Sequence, residues 1–551
     1  MTTYEPKNVY RTPEYRYGEK PLDYYYRVHA KRTPNKTCIQ YYGKEYTWSE
    51  MNDSIDAMAK GLSDLGVKKG DTVALFMQNC PQFMISFYAV QRLGGIVVTC
   101  SPMFKEWDIE YEVNEINARV IIANSYLYQI VENVIDKTTL EHIIVSSFKE
   151  FLPEVVTIDF DLQDKEVVEC AKAISMVDIL TQNKGIVMPE VELNMAEDIG
   201  LIMFTSGSTG LPKGAMLPYI SGLYKGSGTA NNYEMTEYTF FLGTQPMNHI
   251  AGMDLMHSHA YVGCRMVLLS KSTAEAIMKA IDLYHCDNWY GSALMVDEII
   301  THPDILKYNL CHVRVAHATS FGIQLTKEIA DKWSNVTKGG VMVETAYGLS
   351  ETHTMDTVTP LEHPIFGTCG IPIYNDCYIK IVDDDGHECP VDVEGEITVK
   401  NPAIFKGYYN NPEATAMNLK DGYVYTGDFG KLDEEGYLYF MGRKKEMIKT
   451  SGFSVFPEEI ETYICRHDAV TQAIVIGKTD KKRGELIKAF VIIAPEYKGK
   501  ITEEELLEWC AEKMAAYKKP REIEFKDTLP MTATGKLLRR ILREEEEKKN
   551  G

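Results

Sequence analysis

The chain has twelve cysteines in 551 residues, yet no C-x-x-C pair. Its densest group, Cys369, Cys377 and Cys389, lacks the ligand spacing of a zinc site. His257 and His259 near Cys264 do not supply that spacing either. Scattered thiols in so long a chain read as reduced and mostly buried, which predicts a cytoplasmic protein. No apolar run approaches the roughly 18 residues of a membrane-spanning helix. The N-terminus, M-T-T-Y-E-P-K-N-V, has no basic–apolar–small leader pattern, and the K-K-N-G end carries no peroxisomal address. Positive charge is also scarce: 58 Lys and Arg face 79 Asp and Glu, a net charge of −21. That balance argues against general nucleic-acid binding and requires any anion site to be locally basic. Two familiar phosphate signatures are missing as well, G-x-x-x-x-G-K-[ST] and G-x-G-x-x-G.

What is present centres on Phe204 to Leu217, F-T-S-G-S-T-G-L-P-K-G-A-M-L, directly after an apolar run from Ile199 that reads as a buried strand. Gly207 and Gly210 let the backbone bend so that successive N–H groups converge. With the hydroxyls of Thr205, Ser206, Ser208 and Thr209 they make an anion-binding concavity, to which Lys213 adds a mobile charge. A polar surface turn is the plain alternative. Val341 to Thr352, V-M-V-E-T-A-Y-G-L-S-E-T, runs from a strand into Tyr347, Gly348, Ser350 and Glu351. Tyr347 offers a flat ring for a base and a hydroxyl for a phosphate, and Glu351 a hard oxygen for Mg²⁺. Asp428, in Y-T-G-D-F-G, is an acceptor suited to a ribose diol.

Around these stretches the chain alternates. A helix over 48–65 capped by Thr47, a strand over 72–77, a helix over 81–93, a strand over 95–99, a helix near 107–117 and a strand over 119–123 imply βαβ units and a largely parallel sheet. Residues 38–44 read as a hairpin. Gly222, Gly226 and Gly228 interrupt an otherwise helical stretch. After Gly367 the texture changes to short antiparallel strands, and after Gly442 to strands and one amphipathic helix at 502–514. At 551 residues the chain is too long for one core.

The order of these motifs resembles the adenylate-forming superfamily of acyl- and aryl-CoA synthetases, adenylation domains and luciferases, across about residues 30 to 540. The resemblance implies a large N-terminal α/β domain with mixed, partly parallel sheets over 1–444 and a small mobile α+β C-terminal domain over 445–551. It also implies an acid–thiol ligase that uses ATP, Mg²⁺ and coenzyme A to convert a hydrophobic, fatty-acid-like carboxylic acid into its acyl-CoA through an acyl-adenylate. A carrier-loading adenylation module and a decayed nucleotide-binding homologue are the alternatives. By position, Arg443 would contact the nucleotide and Lys445 act as the hinge. Lys449 would serve thioester formation and Lys536 adenylation, with Ser451, Gly452 and Phe453 lining the pantetheine tunnel. His249, Ala251, Gly252 and Phe321 would border the acyl pocket. The basic cluster Lys481–Arg483 is a candidate contact for a CoA phosphate. Nothing in the sequence fixes the acid or decides between monomer and homodimer.

Overall fold

The computed structural model describes residues 12–159, 172–205, 211–320, 323–344, 346–450, 453–480, 484–514, 518–531 and 537–550, with the backbone alone at 453, 454, 484 and 550. Thr47 starts the Trp48–Asp64 helix with a complete capping box. Its hydroxyl accepts the Glu50 N–H at 3.2 Å, and the Glu50 carboxylate accepts the Thr47 N–H at 2.8 Å. The helix buries Met51, Ile55, Met58, Ala59 and Leu62, the face its apolar spacing predicts. Strands Thr72–Phe76, Ile96–Thr99 and Val120–Asn124 then pair in parallel, connected by helices Pro81–Arg92 and Glu106–Glu115. They belong to a seven-stranded sheet that ends in the antiparallel hairpin Ile199–Thr205 and Lys213–Pro218.

A second seven-stranded sheet joins Val341–Glu344, Val315–Thr319, Asn288–Ser292, Phe240–Gly243, Arg265–Leu268 and Thr37–Tyr41 in parallel, with Lys44–Thr47 as its antiparallel edge. Helices Tyr219–Asn232 and Ile250–Val262 are buried along nearly their whole length. They meet closely because a Cβ on Gly222 would fall 2.9 Å from the His257 ring and one on Gly226 the same 2.9 Å from the His257 backbone. Gly222 and Gly226 thus make a helix contact, while a Cβ on Gly228 would fall 2.3 Å from the Ile373 side chain. Tyr423–Leu432 and Leu438–Arg443 lie in a five-stranded antiparallel sheet with Tyr378–Val382, Gly395–Lys400 and Leu419–Lys420.

From Ile448 onward the chain builds another five-stranded sheet, flanked by helices Pro457–Ile464, Glu503–Lys513 and Arg539–Asn550. Its two cores contain only residues from Ile448 to Leu542. The fold is therefore mixed α/β, with a large N-terminal part and a smaller C-terminal one. No helix among the described residues is long and apolar enough to cross a membrane. The described cysteines are all free; Cys170 lies outside them.

Candidate functional site

The antiparallel hairpin places Thr205 opposite Lys213, the first residue of the edge strand Lys213–Pro218. Ser206, Gly207, Ser208, Thr209 and Gly210 lie outside the described residues. Glu351 reaches the base of this loop. Its Oε1 accepts the Thr205 hydroxyl at 3.2 Å and the Tyr408 hydroxyl at 2.7 Å. Lys213 Nζ sits 5.6 Å from the centre of the Tyr408 ring, within cation–π range. Burial, and then the charge of Glu351, raise the Tyr408 phenol and keep it a donor. A carboxylate beside two hydroxyls is a donor set that fits Mg²⁺, which binds through one or two carboxylates plus substrate phosphates.

Tyr347, Asp428 and Arg443 come together beside this group. Strand pairing sets Asp428 directly opposite Arg443, whose Nε lies 2.8 Å from Asp428 Oδ1. Tyr347 donates its hydroxyl to Asp428 Oδ2 at 2.7 Å. Burial pushes the Tyr347 phenol up, and Asp428 adds to it. Burial works against the charge on Arg443, but Asp428, Tyr347 and Glu351 outweigh it and raise its pKa. Glu351 is thus electrostatically part of the same site. Ser350 opens the short turn 350–352 that carries Glu351. Gly348 has to be glycine: a Cβ there would lie 2.5 Å from the Thr354 carbonyl carbon and 2.6 Å from the Met355 nitrogen.

His249 caps the Ile250–Val262 helix, its Nδ1 accepting the Ala251 N–H at 3.4 Å. The adjacent Asn248 carbonyl accepts the Thr99 hydroxyl at 2.9 Å, which joins this helix end to the sheet carrying the Thr205–Lys213 hairpin. Ala251 is partly exposed, while Gly252 is buried. A Cβ on Gly252 would stand 2.2 Å from the Pro246 carbonyl oxygen, so its smallness lets the helix begin against that backbone. Gly252→Ala is therefore expected to lower the melting temperature, at about 1–3 kcal/mol for overpacking. Preference among acids should not change; thermal melting and a chain-length panel check both halves. Phe321 lies outside the described residues; its neighbour Ser320 binds the Glu344 carboxylate through both N–H and hydroxyl.

In the C-terminal part, Lys445 is exposed within the turn 444–446, and Lys449 is exposed on the Ile448–Thr450 strand. Lys444 pairs with Asp384 at 2.8 Å and Glu396 at 3.2 Å across that turn. Ser451, Gly452, Lys481, Lys482, Arg483 and Lys536 lie outside the described residues, and Phe453 is described in its backbone alone. Shortly after Lys536, Arg539 contacts Glu446 at 2.8 Å, Glu458 at 2.9 Å and Glu461 at 2.6 Å. It ties the segment following Lys536 to the turn containing Lys445. Tyr408 escaped the sequence reading; its F-K-G-Y-Y context has neither helical nor strand periodicity.

Residues 26–409 match the family described as AMP-binding enzyme, and 459–536 match its C-terminal domain. A long-chain-fatty-acid–CoA ligase of Bacillus subtilis is 33% identical over 94% of this chain and 93% of its own length. A 2-succinylbenzoate–CoA ligase of Bacillus cereus is 27% identical over 93% of this chain and 96% of its own. In fold, the chain resembles the anthranilate CoA ligase AuaEII in complex with anthranoyl-AMP, with a TM-score of 0.84 and 24% identity over 97% of this chain and 98% of that one. Matched through most of its length, the chain belongs to the AMP-binding enzyme family.

Proposed function

We propose that this chain is an AMP-forming acid–thiol ligase that converts a hydrophobic carboxylic acid into its coenzyme A thioester. A carboxylate is a poor acylating agent. Its oxygen attacks the α-phosphorus of ATP, the bond to the β-phosphate oxygen breaks, and pyrophosphate leaves an acyl-adenylate. The CoA thiol then loses its proton and attacks the acyl carbon, and the carbon–oxygen bond to AMP breaks. In the first step charge gathers on phosphate oxygens, so catalysis is chiefly positioning and positive charge. The segment 205–210 and Lys213 hold the phosphates, Asp428 takes the ribose diol, and Arg443 and Tyr347 orient Asp428. Glu351 would hold Mg²⁺, which when bound neutralises phosphate charge. Lys536 serves adenylation and Lys449 thioester formation. The boundary falls at 444/445, and the C-terminal domain turns about Lys445 between steps.

The observation that carries this reading is the Tyr347–Asp428–Arg443 group beside the Thr205–Glu351 contact, which joins diol and phosphate chemistry in one place. The acids named for the relatives, a long-chain fatty acid and 2-succinylbenzoate, support a substrate with a large carbon skeleton. Free thiols support a reducing cytoplasm. An acid panel with ATP, read as AMP release, tests the assignment. Turnover should need CoA, and a medium-length acid should exceed acetate by more than about a hundredfold in kcat/KM, since each buried methylene contributes about 0.8 kcal/mol. Equal release with and without CoA would overturn it.

A further inference from the structure

Immediately beyond Glu351 the chain does something costly. His353, Thr354 and Met355 follow one another with φ of +58°, +53° and +46°, the left-handed region that side chains with a Cβ disfavour and that β-branched Thr354 tolerates worst. This turn presses on the site, because the Thr354–Met355 backbone runs within van der Waals reach of Gly348. What holds it is a fully buried ion pair. Lys225, from the middle of the Tyr219–Asn232 helix, donates from Nζ to the Met355 carbonyl at 3.1 Å and to Asp356 Oδ1 at 2.7 Å.

Asp356 distributes that anchoring. Its Oδ1 also accepts from Asn401 Nδ2 at 2.9 Å, and its Oδ2 accepts the hydroxyl of Thr352. Thr352 Oγ1 in turn accepts the Leu349 N–H at 3.1 Å, which closes the short turn bearing Glu351. The Asp356 N–H donates to the Tyr347 carbonyl at 2.7 Å. Two nucleotide-side residues, Tyr347 and Glu351, therefore hang from one carboxylate, and that carboxylate is held by Lys225. Burial raises the Asp356 pKa, and Lys225, Thr352 and Asn401 act against that rise. Asp254, whose carboxylate accepts the Thr229 hydroxyl at 2.6 Å, also lies within the electrostatic reach of Lys225.

Resting on the ligase reading above, we propose that Lys225 is a positioning residue for ATP: with Asp356 it locks the left-handed 353–355 turn and so sets Tyr347 and Glu351 without touching substrate. The pair lies beneath the nucleotide side of the site, while His249 caps a different helix, so nucleotide affinity should respond and acid affinity should not.

The test uses the full chain and a fluorescent ATP analogue, with melting temperature and the acid KM measured alongside. Lys225→Met leaves Asp356 buried without its cation and risks failing to fold. The double variant Lys225→Met/Asp356→Asn removes both charges, while the introduced amide still hydrogen-bonds Thr352 and Asn401. It should fold, bind the analogue about tenfold more weakly, the range expected for a lost hydrogen bond from a charged donor, and shift the acid KM by less than about threefold. Adding Thr354→Gly, which accepts positive φ without strain, should restore analogue affinity to within about threefold of wild type. A double variant that binds as wild type, that loses acid and nucleotide affinity equally, or that glycine fails to restore would overturn the proposal. If wild-type protein binds no analogue, the ligase reading falls with it; binding by wild type and variants alike removes only the role of Lys225.

Discussion

Replacing Lys536 by alanine is expected to cut acid-dependent ATP–pyrophosphate exchange by about a hundredfold or more while sparing thioester formation from supplied acyl-adenylate. Lys449→Ala is expected to do the reverse. The scale is that of one charged hydrogen-bond donor lost from a developing transition state, about 3 kcal/mol. The family resemblance assigns the two lysines to different steps. Lys449 is the exposed residue of the Ile448–Thr450 strand, just past the turn containing Lys445, while Arg539 ties the segment after Lys536 back to Glu446 in that same turn. If the C-terminal domain turns between steps as proposed, each lysine should matter in only one orientation. Stopped assays of the two half-reactions read this directly. Equal damage to both by either variant would sink the two-face mechanism.

The second large effect is expected at Asp428. Asp428→Ala removes the acceptor for the diol and leaves two partners stranded, the Arg443 guanidinium at 2.8 Å and the Tyr347 hydroxyl at 2.7 Å. Breaking one side of a buried charge pair costs about 3–5 kcal/mol, part of which falls on folding. Activity should therefore fall more than about a hundredfold in kcat/KM for ATP, with the melting temperature lowered too. Asp428→Asn keeps the shape and the acceptor for Tyr347 but loses the charge facing Arg443, and should fall between the two. Steady-state kinetics with ATP and acid varied in turn would show whether the loss sits on the nucleotide. An acid KM that rises as steeply as that for ATP would place Asp428 elsewhere in the reaction.

Elements with strong local signals were legible in the sequence. The Thr47 capping box, the apolar face of the helix it starts and the β-branched strands at 72–76, 96–99 and 120–124 are written in short-range chemistry. The nucleotide motifs were legible because each keeps its residues close together in the chain. Partnerships across long separations were not. Lys225 and Asp356 each look like ordinary surface charges, and only the packing of a glycine-rich helix shows that both are fully buried. The left-handed run after Glu351 falls on His, Thr and Met, none of which announces positive φ as glycine would. Tyr408 reaches Glu351 across 57 residues from a stretch without periodicity. Nor does the sequence show why position 252 is glycine: a carbonyl oxygen stands where a side chain would be.

The central claim is that this protein makes an acyl-adenylate first and uses coenzyme A only afterwards. A single-turnover experiment with enzyme in excess over ATP, quenched and analysed by mass, tests it most directly. Without CoA, a hydrophobic acid should yield acyl-AMP and pyrophosphate in amounts matching the limiting ATP. Adding CoA should convert the acyl-AMP to acyl-CoA and free AMP. Formation of ADP and phosphate instead, or release of pyrophosphate only once CoA is present, would contradict it.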